Sequence, residues 1–484
     1  MTAEDASRKR VVVIGGGISG LAAAHRLVEL DGNCEVTLLE AGDCLGGVLQ
    51  TTRDDGYLIE HSADNFITDP PWAVQLCERI GFADELIPTS SQERGALVVH
   101  RGRLERVPPG FMLMAPARLW PLVTTPLLSA WGKLRLLSEP LVPRRQDGAD
   151  ESLGSFARRR LGREVFERIV QPLVGGIYTA DPEKLSLRAT LPRFLEMEQQ
   201  HGSLVLAARR QRGQAPGDDA NAAGGARYGM FVAPRNGMSS LVAAIAARLP
   251  TGTVRLQRRV QSVSRGAAGG WQARATTADG QSEVLDCAGL IMATPAAAAA
   301  RLLQPIDAAL AGELARIEYA GTAIVTQAYR RAQIAHALDG FGFVVPAREG
   351  RRILAGSFAS VKFPGRAPAD CMLVRVFVGG ACQSELLRLS DEELRQLATD
   401  ELRVLLGAQG EPLRSSVARW PQAMPQYHVG HCELVARIEQ AADAWPGLAL
   451  AGNAYHGVGI PNCVRSGELA AERLIRSAAA CAVG

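Results

Sequence analysis

The stretch RVVVIGGGISGLAAAHRLVEL, residues 10–30, decides the fold of this chain. It begins with a short apolar run rich in β-branched residues, which is typical of a buried strand. Glycines follow at once, and the remainder carries apolar residues at helical spacing. The next segment, CEVTLLE at residues 34–40, indicates a second strand. Together these elements predict a βαβ unit of about 30 residues, and hence an α/β fold with mixed α+β additions.

The glycines of this unit fit a dinucleotide-binding turn. Gly15, Gly17 and Gly20 follow the pattern G-x-G-x-x-G, and Glu40 lies 20 residues beyond the last of them. The first glycine permits a tight turn, the second lets the backbone approach a pyrophosphate, and the third allows close packing of helix and strand. The helix N-terminus offers free N–H groups to the anion, and Glu40 is placed to accept hydrogen bonds from a ribose. A glycine-rich turn of purely structural use is the alternative, and the full βαβ context argues against it.

Two further glycine segments favour FAD over NAD. Gly46 and Gly47 follow Glu40 closely and would let a second backbone segment approach the same extended ligand. Near the end of the chain, Gly457–Gly459 precedes a predicted helix whose positive end would stabilise the negative charge of a reduced flavin. Glycines before a helix are also common caps, so this segment alone supports both interpretations.

Composition and charge exclude several classes of protein. The 53 basic and 50 acidic side chains leave a net charge of +3, which is too balanced for a nucleic-acid-binding surface. The nine cysteines are scattered without zinc-ligand spacing, so we predict reduced thiols and no metal site. The polar N-terminus runs straight into the first strand, which predicts no secretory signal and a cytoplasmic location.

An apolar stretch between Phe111 and Trp131 is the one candidate for membrane contact. Three prolines and Arg118 interrupt it, whereas a spanning helix needs about 20 largely uninterrupted apolar residues. We therefore predict no membrane span. A surface helix on the inner face of the membrane stays open, because basic residues such as Lys133 and Arg135 flank the apolar positions.

The order of patterns divides the chain into six segments. Leu153–Val170 has helical periodicity, whereas a Gly/Ala/Asp-rich stretch near residue 220 has none. The predicted segments are a first FAD-binding part at 1–87, a helical lobe facing the membrane or the substrate at 88–212, a flexible loop at 213–229, a second FAD-binding part at 230–300, a substrate-binding domain at 301–414, and a C-terminal FAD-binding part at 415–484.

Two longer motifs carry a resemblance to a known family. QPLVGGIYTADPEKLSLRATLPRF at 171–194 and AGNAYHGVGIPNCVRSGELAAERL at 451–474 are similar to sequences of the protoporphyrinogen and coproporphyrinogen oxidases, members of the flavin amine oxidase superfamily. The resemblance covers nearly the whole chain. It implies a Rossmann-like FAD-binding domain, a mixed-sheet substrate domain and a helical lobe. It also implies FAD contacts at Gly15, Gly16, Gly17, Ile18, Ser19, Gly20, Glu40, Ala41, Gly46, Gly47, Val48, His61, Ser62, Ala63, Asp64, Val260, Val458, Gly459 and Ile460.

The reaction implied by the resemblance removes six electrons and six protons from a porphyrinogen in three rounds of hydride transfer to flavin N5. Dioxygen is the implied acceptor and is reduced to hydrogen peroxide. Because the cofactor carries this chemistry, no catalytic acid–base pair is expected. His61, His428 and His456 are instead expected to make structural hydrogen bonds.

The tetrapyrrole is expected to lie in a wide apolar pocket with one edge against the flavin. Candidate substrate contacts are Asp64, Phe66, Arg94, Gly175, Gly176, Ile177 and Tyr178. Asp64 belongs to the run Ser-Ala-Asp-Asn-Phe, where relatives often have Gly-Pro-Asn-Ser-Phe or Gly-Pro-Asp-Ser-Phe. An ionised Asp64 would repel a propionate unless an arginine or a water lies between them.

Several alternatives stay open. We expect protoporphyrinogen IX as the substrate, in haem biosynthesis, and coproporphyrinogen III is the alternative, since the two differ in two vinyls against two propionates. An amine oxidase or a carotenoid-type desaturase is more remote, because NAYHGVG offers only Tyr455 where amine oxidases usually have an aromatic pair, and Val48 replaces the arginine of their G-G-R. A flavin-binding protein without turnover is a hypothesis of another class. The oligomeric state is open, a homodimer included.

Overall fold

The computed structural model describes residues 9–90, 95–116, 118, 120–214, 231–266 and 269–483. Arg94, a predicted substrate contact, and residues 215–229 of the predicted loop lie outside the described residues. Gly213 and Gln214, which the loop prediction included, belong to a helix that ends at Gln214.

Runs of strands and runs of helices follow one another along the described part of the chain. The strands are β1 (Arg10–Ile14), β2 (Glu35–Leu39), β3 (Thr51–Asp54), β4 (Tyr57–Glu60), β5 (Phe66–Ile67), β6 (Leu86–Pro88), β7 (Leu97–His100), β8 (Arg103–Arg106), β9 (Phe111–Met112), β10 (Ala115–Pro116), β11 (Phe231–Pro234), β12 (Val254–Arg255), β13 (Arg259–Arg265), β14 (Trp271–Thr276), β15 (Ser282–Cys287), β16 (Gly289–Met292), β17 (Tyr319–Arg330), β18 (Gly342–Val344), β19 (Ala355–Phe358), β20 (Cys371–Gly379), β21 (Arg414–Pro425) and β22 (Leu448–Leu450). The helices are α1 (Ile18–Leu30), α2 (Trp72–Arg79), α3 (Trp120–Thr124), α4 (Ala130–Leu137), α5 (Leu153–Leu161), α6 (Arg163–Val165), α7 (Gln171–Tyr178), α8 (Leu187–Thr190), α9 (Pro192–His201), α10 (Leu204–Gln214), α11 (Met238–Ala246), α12 (Ala296–Leu303), α13 (Ala308–Ala315), α14 (Ala359–Lys362), α15 (Asp391–Leu406), α16 (His431–Asp443) and α17 (Ile460–Val483).

A five-stranded parallel sheet forms the centre of the predicted nucleotide-binding part. Its strand order is β12-β2-β1-β16-β22, so it draws strands from three separate stretches of the chain. Val11–Ile14 are buried, as expected for a parallel strand that is covered on both faces. The α/β class that the sequence predicts is confirmed.

Different layers cover the two faces of this sheet. On one face, α1 and α17 cross each other and share a core with residues of α2 and α11. On the other face, the antiparallel sheet β13-β14-β15 joins α12, α13 and α16 around the buried Trp271. The indole N–H of Trp271 donates to the carbonyl of Pro446 at 3.0 Å, which satisfies the polar atom of this large buried ring.

A seven-stranded mixed sheet forms a second body, in the order β21-β17-β20-β19-β18-β7-β8. The helix α15 packs on it, and its N-terminus carries a reciprocal capping box between Ser390 and Glu393. Strands β7 and β8 fall in segment 88–212, for which the sequence predicts a helical lobe. Instead, β7 pairs with β18 and β8 pairs with β7, and the side chains of Leu97 and Val99 complete the core of this sheet.

The helices α3–α10 surround a third core. The helical pattern predicted over 153–170 is broken at Gly162, which has φ of +90°, and it continues as α6 and a π-helical turn at Phe166–Val170. Arg160 is fully buried there and donates to Glu139 and to the carbonyls of Val142 and Gly202, so this charge is completely paired. Within the described ranges, no helix is both long and apolar enough to cross a membrane.

Candidate FAD site

The glycine turn after β1 is shaped by close backbone contacts. Gly15 has φ of +110°, and a Cβ atom there would overlap the carbonyl oxygen of Ala293. A Cβ at Gly20 would overlap the carbonyl of Gly15, so the third glycine lets α1 approach the turn. Around Gly17, in contrast, a Cβ would meet nothing within 4 Å, which leaves open space beside the backbone. The turn therefore has the tight and open positions that a pyrophosphate cradle requires.

The N-terminus of α1 points its backbone donors at this open space. Gly17 is the N-cap residue, and no side chain caps the helix. The N–H groups of the first helical turn have no partner within the helix and are available to an anion.

Glu40 ties the end of β2 to the glycine turn. Its Oε2 accepts a hydrogen bond from the N–H of Gly16 and its Oε1 accepts one from the N–H of Gly42, both at 2.7 Å. The carboxylate is thereby fixed, and each oxygen retains acceptor capacity for a ribose hydroxyl. The segment that leads into β13 runs beside it, since the N–H of Arg258 donates to the carbonyl of Glu40 at 2.8 Å. Val260 follows in β13 as a buried side chain.

The second glycine pair lies against the first turn. The N–H of Gly46 donates to the carbonyl of Gly16 at 2.9 Å, and Gly46 forms a parallel bridge with Gly17. A Cβ at Gly47 would come within 3.5 Å of the Cα of Gly17. Two backbone segments therefore line the same cradle, and Val48 is exposed at its rim.

The C-terminal glycine segment is also held in a specific conformation. Gly457 has φ of +136°, and its N–H donates to the hydroxyl oxygen of Tyr427 at 2.7 Å. That hydroxyl donates in turn to the carbonyl of Asn453 at 2.6 Å. Val458 and Gly459 follow, and α17 begins at Ile460.

The first turn of α1 and the second turn of α17 are in direct contact. A Cβ at Gly467 would overlap the carbonyl oxygen of Ser19, so the two helices cross at backbone distance. Ile18 and Ile460 belong to the same core. The two glycine-led helix N-termini that the sequence predicts on one ligand are therefore brought together.

Two residues of the seven-stranded sheet hold the segment His61–Asp64 through hydrogen bonds to its backbone. Trp420 of β21 donates its indole N–H to the carbonyl of His61 at 2.6 Å, and Arg375 of β20 donates to the carbonyl of Ser62. The ring of His61 is hydrogen-bonded to Thr52 at 2.7 Å. Burial, with the nearby Arg375, lowers the pKa of His61, so this ring is neutral at pH 7.

Asp64 is a buried carboxylate between two cations. The Nζ of Lys362 lies 3.2 Å from its Oδ1, and the Nη1 of Arg375 lies 3.2 Å from its Oδ2. Although burial opposes ionisation, Lys362 and Arg375 together hold the pKa of Asp64 well below its usual range. The repulsion that the sequence analysis considered between Asp64 and a propionate is therefore offset by two positive charges.

The predicted substrate segment 175–178 ends α7 beside the C-terminal glycine segment. Gly176 and Ile177 are exposed, and a Cβ at Gly176 would lie 3.3 Å from Val344 of β18. Tyr178, Val344 and Val458 all pack against the core of the helical lobe. Three parts of the chain, namely the lobe, the second sheet and the segment before α17, therefore meet at this point. Phe66 instead lies in the core that contains Ile18, with 3% of its surface exposed, and its contact with the substrate stays a prediction.

A model of the flavin containing amine oxidoreductase family matches residues 18–475. The chain belongs to this family. A coproporphyrinogen III oxidase of Bacillus subtilis (strain 168) is 33% identical to it over 96% of this chain and 97% of that protein. The chloroplastic protoporphyrinogen oxidase 1 of Arabidopsis thaliana is 31% identical over 94% of this chain and 85% of that protein. A crystal structure from Exiguobacterium sp. 255-15, provisionally named a protoporphyrinogen oxidase, has a TM-score of 0.84 and 31% identity, and it covers 97% of this chain and 99% of that one.

FAD is the cofactor of this family member, and the residues present fit it. The open position at Gly17 and the uncapped N-terminus of α1 suit the pyrophosphate, and Glu40 suits the adenosine ribose. The segment Val458–Ile460 at the start of α17 suits the flavin ring, since a helix N-terminus favours negative charge. Each individual contact stays a prediction.

Sequence reasoning missed Lys362 and Arg375. Both are far from Asp64 in the chain, and the separation between Asp64 and Lys362 is 298 residues. One signal was available. The chain contains only four lysines, so a lysine between Val361 and Phe363 is unusual for this composition.

The conspicuous histidines have structural partners. His456 is hydrogen-bonded to Glu439 at 2.7 Å, which raises the pKa of His456. His428 lies 3.9 Å from Glu318. Another histidine, His431, which the sequence analysis did not single out, is more deeply buried than either of these.

Proposed function

We propose that this chain is an FAD-dependent porphyrinogen oxidase. The observation that carries the proposal is the agreement in substrate class among the relatives named above, each matched over at least 94% of this chain. The geometry is compatible with it. Val344 and Val458, the latter in the predicted flavin segment, pack against the core of the helical lobe, and two cations lie next to Asp64.

The overall reaction converts one porphyrinogen and three dioxygen molecules into one porphyrin and three molecules of hydrogen peroxide. The bound flavin supplies the hydride-accepting chemistry. The protein would provide position and charge, since the N-terminus of α17 would favour the negative charge that the flavin ring gains on reduction. Because the cofactor would carry the redox chemistry, no side chain of the described site is assigned as an acid or a base.

A fluorescence assay tests the proposal. Purified protein with bound FAD is mixed in air with protoporphyrinogen IX, the substrate expected from the sequence, or with coproporphyrinogen III, its alternative, and porphyrin fluorescence is followed. The expected result is oxidation well above the rate of autoxidation, with hydrogen peroxide formed and the reaction stopped by removal of dioxygen. A protein that holds FAD but gives no rate above autoxidation would instead support the hypothesis of a flavin-binding protein without turnover.

Light scattering of the same sample tests the homodimer that the sequence leaves open.

An amine oxidase is the second candidate, since the family description names amines. Amine oxidases usually place an aromatic pair at the flavin. Tyr455 is 4% exposed and packs in the core with α16, so it is not free to form one side of such a pair. We expect no oxidation of benzylamine or putrescine by protein that oxidises a porphyrinogen.

We also propose that the helical lobe contacts a membrane surface through a tryptophan patch on α3, α4 and the segment after them. Trp131, Leu134 and Leu137 lie three residues apart on α4 and share one exposed face, with Trp131 80% exposed. Trp120 on α3 is 75% exposed and Leu141 is 84% exposed. The patch consists of Trp120, Val123, Trp131, Leu134, Leu137 and Leu141. Exposed tryptophans and leucines beside basic residues are typical of helices that lie in the membrane interface.

Sedimentation with vesicles of mixed neutral and anionic lipid tests this contact. The double variant Trp131→Ser and Leu141→Ser is expected to lose binding with the FAD content unchanged. Val404→Ser is the control, because Val404 is likewise an exposed apolar residue, 60% exposed, but it lies on α15 in the second body. Equal sedimentation of the double variant and the control would contradict the proposal.

A further inference from the structure

The groups around Asp64 carry an unbalanced positive charge. Among the described residues, the buried carboxylates here are Asp64 and Glu60, whereas the cations are Lys362, Arg366 and Arg375. Burial raises the pKa of Glu60 and lowers the pKa of Lys362, whose pairing with Asp64 favours its charged form. A surplus of one buried cation is unfavourable unless an anion pairs with it.

Hydrogen bonding at this cluster is also incomplete. Arg375 has 2% of its surface exposed, yet its Nε has no hydrogen-bond partner in the part of the chain that the structure describes. The Oδ2 of Asp64 likewise receives no well-aligned hydrogen bond. Lys362 uses one of its three N–H donors on Asp64 at 3.2 Å, and it lies over the rings of Phe231 and Phe363 at 5.8 and 5.4 Å. Its side chain is 15% exposed, so an incoming ligand can reach it.

The position of the cluster connects it with the reaction. Asp64 ends the His61–Asp64 segment predicted to contact FAD, and Arg375 holds that segment through the carbonyl of Ser62. Lys362 ends α14 and Arg375 lies in β20, both in the segment predicted to bind the substrate. The cluster therefore joins the predicted cofactor segment to the predicted substrate domain.

We propose that Lys362 and Arg375, held in place by Asp64, form a carboxylate-binding subsite for a propionate of the substrate and favour the tetracarboxylate porphyrinogen over the dicarboxylate one. This inference rests on the proposed function. Coproporphyrinogen III has a propionate on each of its four rings, so every orientation of the macrocycle at the flavin delivers a carboxylate to the cluster. Protoporphyrinogen IX has propionates on only two rings, and orientations that place a vinyl there leave the surplus charge unpaired.

Charge-balance variants test the subsite. Lys362→Met leaves Asp64 and Arg375 as a neutral pair, whereas Lys362→Met combined with Asp64→Asn restores the surplus of one positive charge. Lys362→Arg keeps the charge in place. Lys184→Met is the matched control, because it removes the same side chain from an exposed position. The FAD content and the Tm of each variant are measured first.

The readouts are kcat/KM for the two porphyrinogens and the Kd of coproporphyrin III. For Lys362→Met, the ratio of kcat/KM for coproporphyrinogen III to that for protoporphyrinogen IX is expected to fall about tenfold, mainly through KM, which is the typical effect of one hydrogen bond to a charged group. Binding of coproporphyrin III is expected to weaken in parallel. The double variant and Lys362→Arg are expected to regain most of the wild-type ratio, and Lys184→Met to leave it unchanged. A purely structural Lys362 would affect the two substrates alike, so its removal would leave the ratio unchanged.

The outcomes separate the two proposals. If wild-type protein holding FAD oxidises neither porphyrinogen, the proposed function is overturned. If it is active but Lys362→Met leaves the ratio unchanged, or if the double variant is no better than Lys362→Met, only the subsite is overturned. If Lys362→Met fails to hold FAD, the double variant is measured instead. A wild-type ratio of kcat/KM for the two porphyrinogens in the double variant supports the subsite, and a loss of the preference for coproporphyrinogen III overturns it.

Discussion

Glu40 links the fold of the chain to the binding of its cofactor. Its carboxylate accepts two hydrogen bonds at 2.7 Å, one from the N–H of Gly16 in the glycine turn and one from the N–H of Gly42 just after β2. These bonds fix the two oxygens before the ligand arrives, so less conformational entropy is lost when a ribose hydroxyl binds. Lys362 and Arg375 hold Asp64 in a comparable way. In both places, a carboxylate that is predicted to contact the ligand also has a structural role.

Glu40→Gln is expected to weaken FAD binding at least about tenfold, because an amide provides only one acceptor oxygen for two backbone donors and a hydroxyl. The measurement is the Kd of FAD for the apoprotein, followed by quenching of flavin fluorescence. Glu35→Gln is the control, since Glu35 forms an exposed ion pair with Arg10 in the same part of the sheet. Equal FAD affinity in the two variants would contradict the role of Glu40.

His431 is expected to make the protein sensitive to acid. Its ring stacks on Tyr427 at 3.9 Å and donates to the carbonyl of Tyr455 at 3.1 Å. Burial lowers the pKa of His431 to about 4. The ordinary pKa of an unfolded histidine is near 6.5, so between that pH and pH 4 the unfolded chain binds more protons than the folded one. As the pH falls through this range, the free energy of unfolding therefore decreases, by at most about 3 kcal/mol in total.

Urea unfolding at pH 7 and pH 5 measures this effect. His431→Gln keeps an N–H donor but does not titrate, so its stability is expected to fall less between the two pH values than that of the wild type. His201→Gln on α9 is the control and should behave like the wild type. An identical pH dependence of His431→Gln and the wild type would show that His431 does not carry the acid sensitivity.

The crossing of α1 and α17 is the contact between elements on which the site depends. Both helices begin at glycine-led turns, and Gly467 lets them approach at backbone distance. The α17 register is set by this contact, since Ile460, Cys463 and Val464 on the same face enter the shared core. The crossing therefore determines where the N-terminus of α17 points.

Gly467→Ala is expected to lower the stability by about 2 kcal/mol or more, because the added methyl group overlaps the carbonyl of Ser19 and forces the helices apart. The affinity for FAD should fall with it. Gly312→Ala in α13 is the control, because a Cβ there meets nothing within 4 Å, and it should be neutral or slightly stabilising through helix propensity. Thermal unfolding and FAD content measure both. Equal stability of the two variants would show that the helices can separate without cost.

The parallel sheet of the whole molecule is assembled from strands near the beginning, the middle and the end of the chain. The nucleotide cradle lies on the first of these parts and the predicted flavin segment on the last. The seven-stranded sheet then closes over the segment His61–Asp64 through Trp420 and Arg375. A ligand that contacts all of these parts is expected to stabilise them together.

Removal of FAD is expected to lower the Tm and to increase amide hydrogen exchange in the first turns of α1 and α17 and at residues 61–64. Binding to the native state alone stabilises it by mass action, by about 3 kcal/mol when the ligand is present at a hundred times its Kd. Helix α9, which packs within the helical lobe, is the internal control and should not change. Exchange that increases equally in α9 and α1 would indicate global loosening rather than a site made of these segments.

The sequence alone determined the βαβ unit, the nucleotide turn and the family, because these depend on local patterns: a β-branched run, glycines at fixed spacing and a carboxylate after the second strand. It could not determine that β7 and β8 join the second sheet, since short apolar strands do not identify their partners. Nor could it find Lys362 and Arg375 beside Asp64. Only the tertiary structure decides such pairs, because burial raises the cost of an unpaired charge and so brings together groups that are hundreds of residues apart in the chain.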